Sequence, residues 1–304
     1  MNNLPYRIAL FKDDAGRRIN LIAIMRLIQI LGPYLVAACM RKFAPRVNRT
    51  EMFHVKESSG GRRAELSDLL ALAVSAHGGL ERWNSFRTLE ARMSVGGGIF
   101  AAKQNPGLQD NVTYKVFTRE ERLTIDHFSA PDRRISFVPS RLTLETMGGE
   151  VVEVRDDPRS AFAGQTNESP WDTLHVAYFT SYALWTYLNL PFLYTYPGFV
   201  TEEIEPWREN GEEWRRLKAT FPETIASHSG EQITYFGPDG LMRRHDYTVE
   251  VLGGATGANY STDYKEFQGI KMPTTRRVYA YDENGQKIPD PLLVSIDIET
   301  IVFS

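Results

Sequence analysis

Residues 171–199 read WDTLHVAYFTSYALWTYLNLPFLYTYPGF and place an apolar helix within a chain made mostly of strands. The ten aromatic residues of this segment exceed the roughly 3.5 expected from a 12% aromatic content. The first half has helical spacing, is apolar nearly all round and ends before Pro191, and the second half is predicted to be an extended aromatic loop. Such a helix must be covered on both sides or line a cavity, so the neighbouring strands are predicted to wrap around it.

Strands are predicted on both sides of this segment, because apolar residues there recur with a period of two. Short turns such as Asn210-Gly211 and Asn284-Gly285 join successive strands, which are therefore expected to pair antiparallel. We predict a mostly antiparallel β domain with α, a curled sheet or open half-barrel of about 11–12 strands with helices packed in its concave face. The predicted strands are 88–100, 111–118, 121–127, 133–138, 141–147, 149–155, 199–207, 212–221, 231–236, 241–252, 258–267, 270–281 and 292–303.

A second helix is predicted before the first strand. Residues 65–76, ELSDLLALAVSA, have apolar side chains at helical spacing, and the glycines at 78 and 79 end the helix. We find no internal repeat and no second linker after it, so residues 64–304 are predicted to form one domain that carries the aromatic insert 171–199. Residues 1–63 are predicted to be a basic leader and linker.

The charge is unevenly distributed along the chain. Residues 1–63 contain twelve Lys/Arg and four Asp/Glu, which leaves 23 basic and 34 acidic residues for the rest. A basic arm is typical of segments that face anionic lipid or nucleic acid, whereas an acidic body repels phosphates. The folded domain is therefore not expected to bind nucleic acid.

The most apolar stretch, INLIAIMRLIQILGPYLVAACM at 19–40, is interrupted by polar residues and a Gly-Pro pair, which makes it a poor membrane span. Read from Met25, it has a charged start, an apolar core and a small-residue cleavage site, as a secretory signal does. Val36-Ala37-Ala38-Cys39 also resembles a bacterial lipobox, in which Cys39 would be lipidated. These features predict a protein of the cell envelope or periplasm, associated with the membrane through this segment or a lipid anchor. The alternative interpretation of this stretch is an amphipathic helix or a leader without function, and it would predict a cytoplasmic protein.

Three stretches resemble a known superfamily. HGGLERWNSFRTLEARMSVGGG at 77–98 combines a small-residue helix end with Trp83 and a first strand, and YKEFQGIKMPTTRRVY at 264–279 contains a late hairpin that turns at Phe267-Gln268-Gly269. With YFGPDGLMRRHDYTVEV at 235–251, the meandering strands and the apolar insert, they are similar to the LolA/LolB superfamily over about residues 64–304. The resemblance implies a half-barrel of about eleven strands with helical lids around an apolar cavity, used in lipoprotein transport across the periplasm. The same fold also serves an enzyme of violacein formation, so the resemblance leaves chemistry open.

The aromatic excess favours a ligand cavity or lid, with solid core packing as the alternative. The predicted ligand is a hydrophobic small molecule or lipid. The ligand-binding candidates are Trp171, Tyr178, Phe179, Tyr182, Trp185, Phe192, Tyr194 and Tyr247.

Histidines are the candidates for catalysis. His175 lies within the aromatic insert, where an imidazole can orient a headgroup or carry a proton, although a hydrogen-bonded core histidine is the ordinary alternative. His127 and His245 adjoin Asp126 and Asp246, but neighbours in a strand point to opposite faces, so neither pair forms a dyad. An enzyme that acts on a hydrophobic metabolite through these histidines, and an envelope protein-interaction module, stay open as alternatives to ligand binding.

No pattern predicts a metal or a cofactor. No two histidines lie two to five residues apart, and the single cysteine allows no intrachain disulfide. The glycine clusters at 96–98 and 253–257 lack the strand–loop–helix setting of a phosphate cradle and predict a bulge and a hairpin turn.

Three pairs of arginines, at 133–134, 243–244 and 276–277, alternate between the faces of their strands. One member of each pair could therefore point inward toward an anionic headgroup, and contact with solvent or the acidic surface is the favoured alternative. The oligomeric state is left open.

Overall fold

The computed structural model describes residues 66–166 and 168–304, together with two short strands, β1 (Phe11–Lys12) and β2 (Arg18–Ile19), that pair antiparallel. The chain divides into two compact units, Met1–Gly61 and Arg62–Ser304. Cys39, the predicted signal beyond Ile19 and the predicted linker lie outside the described residues.

Fourteen strands of the second unit form one sheet. Along the sheet the order is β8-β7-β6-β5-β4-β3-β16-β14-β13-β12-β11-β10-β9, with β15 paired to β14 beside this path. The strands are β3 (Thr88–Gly96), β4 (Val112–Phe117), β5 (Leu123–Asp126), β6 (Arg133–Val138), β7 (Arg141–Thr146), β8 (Val151–Asp156), β9 (Val200–Glu209), β10 (Glu212–Thr220), β11 (Glu231–Phe236), β12 (Met242–Val249), β13 (Ala255–Phe267), β14 (Ile270–Tyr281), β15 (Lys287–Ile288) and β16 (Val294–Phe303).

All pairings in the sheet are antiparallel, and most join strands that are consecutive in sequence. The C-terminal strand β16 lies between β3 and β14 and so connects the early strands to the late ones. The edge strands β8 and β9 are not paired with each other, so the sheet stays open. The predicted fold class is therefore confirmed: a mostly antiparallel, curled, open sheet with helices.

Within residues 66–166 and 168–304, four α-helices accompany the sheet: α1 (Asp68–Ala76), α2 (Leu80–Asn84), α3 (Gly98–Ala102) and α4 (Thr173–Asn189). Helix α4 contacts β6 and β7 on one half of the sheet, and its Tyr187 contacts His245 of β12 on the other half. One helix can touch both halves only because the sheet curls around it. We call the face that meets α4 the inner face.

Every residue of α4 from Leu174 to Asn189 is buried, as its all-round apolar sequence predicts. The helix begins at a capping box in which the Asp172 carboxylate accepts the backbone N–H of His175. It ends next to Pro191, where the sequence predicts the end. Within residues 66–166 and 168–304, no helix has the length and apolarity that crossing a bilayer requires.

Several elements differ from the predicted ones, among them α2, which the sequence did not predict, and β12, which ends at Val249. The strand predicted over 88–100 ends at Gly96, and α3 follows, because Gly97 has φ 120° and its backbone lies against Leu293. The loop predicted after Pro191 contains a 3-10 turn, Phe192–Thr195. The sheet has fourteen strands, more than the 11–12 predicted, and the short β15 is one of the additional ones.

Candidate functional site

A pocket of about 310 Å³ lies between helix α3, helix α4 and the inner face of β12, β13 and β14. We call it the apolar pocket, because most of its lining is hydrocarbon. Lys103 and Thr256 are polar residues of its lining. Its apolar lining includes Ile99, Ala102, Phe179, Tyr247, Val249, Leu252, Val278, Leu293 and Val294.

Glycine 257 shapes one wall of the apolar pocket. It lies opposite Tyr247 in the β12–β13 register, and a Cβ at this position would come within 2.4 Å of the Tyr247 ring. The Tyr247 ring can therefore lie flat across the sheet only because residue 257 has no side chain.

Lys103 lies at the helix α3 end of the pocket. Its ammonium donates to the carbonyl oxygens of Thr166 at 2.8 Å and Ser169 at 3.2 Å, and it lies 5.4 Å from the centre of the Trp171 ring. These contacts hold the loop before α4 against α3. Lys103, whose aliphatic stem is buried, therefore fixes this side of the pocket.

A buried cluster of three tyrosines and one histidine supports the pocket from behind. Tyr182 and Tyr187 hydroxyls lie 3.2 Å and 2.8 Å from the two ring nitrogens of His228, and Tyr187 donates to the Tyr247 hydroxyl at 2.5 Å. The His228 ring stacks on Tyr247 with ring centres 4.1 Å apart. Burial lowers the pKa of His228 well below its ordinary value, so the imidazole is neutral at neutral pH. The cluster therefore fixes the Tyr247 ring in the pocket wall.

A second set of buried polar groups lies beside the apolar pocket on the inner face. His245 of β12 faces Asn259 of β13 in the register, and both are fully buried. Within the described residues, neither ring nitrogen of His245 and neither amide atom of Asn259 has a hydrogen-bond partner. Burial lowers the pKa of His245 to about 3, so this imidazole is also neutral at neutral pH.

Arg276 of β14 belongs to the same set and is 1% exposed. Its two terminal nitrogens donate to the Ser261 hydroxyl and to the Tyr187 carbonyl, each at 2.9 Å, while its Nε has no partner among the described residues. We call His245, Asn259 and Arg276 the inner polar row.

Arg244 shows how a buried arginine is ordinarily satisfied. It lies on the opposite face of the sheet, fully buried, and binds both oxygens of Asp246 at 2.6 Å and 2.7 Å. Glu209 accepts a third hydrogen bond at 3.1 Å. The rings that surround its guanidinium belong to Trp207, Tyr235, Tyr260 and Tyr281. Neither Arg244 nor Arg276 reaches solvent, and Arg244 pairs with acidic side chains inside the protein.

Of the eight predicted ligand-binding residues, Phe179 and Tyr247 line the apolar pocket. Trp171 packs on Phe179 with ring centres 5.0 Å apart, and Tyr182 lies behind the wall in the tyrosine–histidine cluster. Phe192 stacks on Trp83.

The other three predicted residues also pack within the protein core. Tyr178 contacts Phe137 of β6, and the Trp185 indole donates to the carbonyls of Phe117 and Glu120. The Tyr194 hydroxyl bonds Thr234 at 2.6 Å. None of these three, nor Phe192, is among the residues that line the pocket.

The three candidate histidines have different surroundings. His175 bonds the Asp172 carboxylate at 2.8 Å through Nδ1 and the Ala161 carbonyl at 3.0 Å through Nε2, so it is a hydrogen-bonded capping residue. His127 is exposed at a turn with φ 66°. His245 alone lies in the inner polar row.

Sequence reasoning missed His228 and Asn259 as site residues, and it named Arg276 only as one of six paired arginines that could point inward toward an anionic headgroup. The period of two places Asn259 and Ser261 on the same face of β13. It likewise places Arg276 and Val278 on the same face of β14. That signal was available, but the sequence does not say which face meets the helix.

No family model matches the chain, and no curated protein matches it. Among solved structures, a DUF1329 family protein from Desulfovibrio piger is similar at 13% identity and a TM-score of 0.44, over 78% of this chain and 92% of that one. A LolA superfamily protein from Nitrosomonas europaea is similar at 9% identity and a TM-score of 0.41, over 75% and 92%. An outer membrane lipoprotein-sorting protein domain from Vibrio parahaemolyticus is similar at 10% identity and a TM-score of 0.36, over 77% and 92%.

Proposed function

We propose that this protein binds a hydrophobic small molecule or lipid in the apolar pocket of its half-barrel, within a binding domain at residues 64–304. The observation that carries the proposal is the apolar pocket itself, about 310 Å³ between two helices and the inner face of the sheet. Ligand pockets in proteins are typically a few hundred Å³, mainly apolar, with a small number of polar groups. The apolar pocket fits this description.

Binding is favoured over catalysis by the state of the buried histidines. His175 and His228 have both ring nitrogens engaged in hydrogen bonds, which leaves no free lone pair or proton for a substrate. The His245 pKa of about 3 leaves the imidazole a weak base at neutral pH. A general acid or base works best with a pKa near the working pH, and His245 is far from it.

We further propose that the protein works in the cell envelope or periplasm, with a signal that reads from Met25 to Ala38 and with Cys39 as a candidate lipid anchor. The apolar stretch ends in the lipobox-like Val36-Ala37-Ala38-Cys39. The mass of the mature N-terminus tests this proposal, because processing before Cys39 removes the preceding residues and lipidation adds an acyl mass.

Ala102→Trp is expected to weaken the binding of 1-decanol by about tenfold or more, because the indole would occupy the pocket from its exposed wall. Ala102 lines the pocket and is exposed, so the larger side chain fills space without overpacking the core. Isothermal titration calorimetry with the full chain measures the affinity. A ten-carbon chain suits a volume of about 310 Å³, since a methylene takes up about as much space as a water, roughly 30 Å³.

Ala101→Trp is the matched control. Ala101 is the preceding residue of the same helix, is also exposed and does not line the pocket. The affinity of the Ala101→Trp variant for 1-decanol should therefore match that of the unmodified protein. If 1-decanol does not bind the unmodified protein saturably, or if both variants bind it equally, the apolar pocket is not the binding site.

A further inference from the structure

The inner polar row lies directly beside the apolar pocket. The sheet register forms a row of four side chains across neighbouring strands: Val294 of β16, Val278 of β14, Asn259 of β13 and His245 of β12. Val294 and Val278 line the pocket, and the same row continues into Asn259 and His245. This row of side chains therefore passes from valines that line the pocket to buried polar groups next to them.

Arg276 is the charged member of this polar region. Its guanidinium lies 5.3 Å from the centre of the Tyr187 ring, and the His245 ring lies 5.9 Å from the same ring. The two side chains are thus arranged around one tyrosine. Arg276 lies one step along β14 from Val278 on the inner face, since alternate residues of a strand share a face.

The Arg276 charge has no counterion among residues 66–166 and 168–304. Its partners are a hydroxyl and a carbonyl, both neutral. A buried charge is costly unless it is paired, and buried arginines are ordinarily paired with carboxylates, as Arg244 is with Asp246. An anion is the group that would complete this site.

The donors of the inner polar row suit a carboxylate. The Arg276 Nε–H and the Asn259 amide N–H groups are buried and without partners among the described residues, and the neutral His245 ring offers one further N–H. Together they provide one positive charge and several neutral donors. That balance neutralises a carboxylate, which carries one negative charge, better than a phosphate monoester, which carries about 1.5 to 2 at neutral pH.

We propose that the ligand is an amphiphile with a single carboxylate head, bound by Arg276 and Asn259, and an aliphatic chain of about ten carbons in the apolar pocket. This inference rests on the proposed function, because it assumes that the apolar pocket takes a chain. It adds the chemical class of the head and the residues that recognise it.

Decanoate is expected to bind the full chain at least about tenfold more tightly than 1-decanol at neutral pH, because hydrogen bonds to charged groups are worth more than neutral ones. Arg276→Met removes the charge and keeps an unbranched apolar side chain. It should abolish the preference for decanoate and leave the affinity for 1-decanol within about twofold. Isothermal titration calorimetry with both ligands measures the four affinities.

Arg277→Met is the matched control, because Arg277 is the next residue of the same strand, points to the other face and pairs with Asp297 at 2.6 Å. It should retain the full preference for decanoate. Should Arg276→Met fail to fold, Asn259→Leu replaces it, with an expected loss of about threefold or more in the preference.

The outcomes separate this inference from the proposed function. Equal affinity for decanoate and 1-decanol in the unmodified protein, or an unchanged preference in Arg276→Met, overturns the carboxylate site and leaves the apolar pocket standing. Tighter binding of decyl phosphate than of decanoate overturns the assignment of a carboxylate head. Failure of 1-decanol and decanoate alike to bind overturns both the inference and the proposed function.

Discussion

Replacing Trp83 with alanine should lower the free energy of unfolding by about 3–5 kcal/mol, the loss typical of a buried tryptophan. Trp83 is fully buried and its ring stacks on Phe192 at 4.3 Å, nearly parallel. Its indole N–H donates to the Tyr196 hydroxyl at 2.9 Å. One side chain of α2 therefore fixes both ends of the aromatic segment that follows Pro191. Urea unfolding followed by circular dichroism measures the change.

Trp83→Phe separates packing from hydrogen bonding at this position. It keeps an aromatic ring against Phe192 and removes the N–H, so the expected loss is smaller, near 1–2 kcal/mol. A Trp83→Ala protein as stable as the unmodified one would contradict the view that this half of the aromatic segment is core.

Replacing Asp246 with alanine is expected to cost about 3–5 kcal/mol of unfolding free energy, because it leaves the buried Arg244 with one carboxylate partner instead of two. Arg244 is 0% exposed and Asp246 is 5% exposed. The remaining carboxylate, Glu209, binds the Arg244 guanidinium through a single nitrogen. Desolvation of Arg244 is then no longer offset by the bidentate pair.

Asp297→Ala is the matched control for a surface pair. Asp297 binds the partly exposed Arg277 at 2.6 Å, and such pairs contribute about 0–1 kcal/mol. Chemical denaturation of both variants gives the comparison. Equal losses in the two would mean that Arg244 gains no more from its carboxylates than a surface arginine does.

Arg244 and Arg276 therefore differ in the partners of their guanidinium groups, although each is the buried member of a pair of adjacent arginines. Arg244 has its carboxylates within the protein, and its role is structural. Arg276 has neutral partners only, among the described residues, and lies beside an apolar pocket. The contrast is the physical basis for assigning a ligand to one and not to the other.

The sequence predicts the strands well because their burial follows a period of two, as in β6 and β14, whose predicted bounds match the observed ones. It also predicts that α4 is buried all round. It does not predict that most rings of the insert pack as core, because their partners, such as Trp83 and Phe137, come from distant parts of the chain.

The candidate site was harder to predict for two physical reasons. Alternation places Arg276 and Arg277 on opposite faces, but the inner face is defined only by where α4 packs. His228 lies in the connection between β10 and β11, where no periodicity exists, and its position is set by the hydroxyls of Tyr182 and Tyr187. Both facts depend on tertiary contacts that residue spacing does not encode.

Native mass spectrometry of the full chain, purified from the organism that encodes it, tests whether the half-barrel holds a ligand. We predict one amphiphile bound per protein, released by organic extraction and absent from the Ala102→Trp variant. A protein that carries no bound mass, or an Ala102→Trp variant that carries the same mass as the unmodified protein, would contradict ligand binding in the apolar pocket.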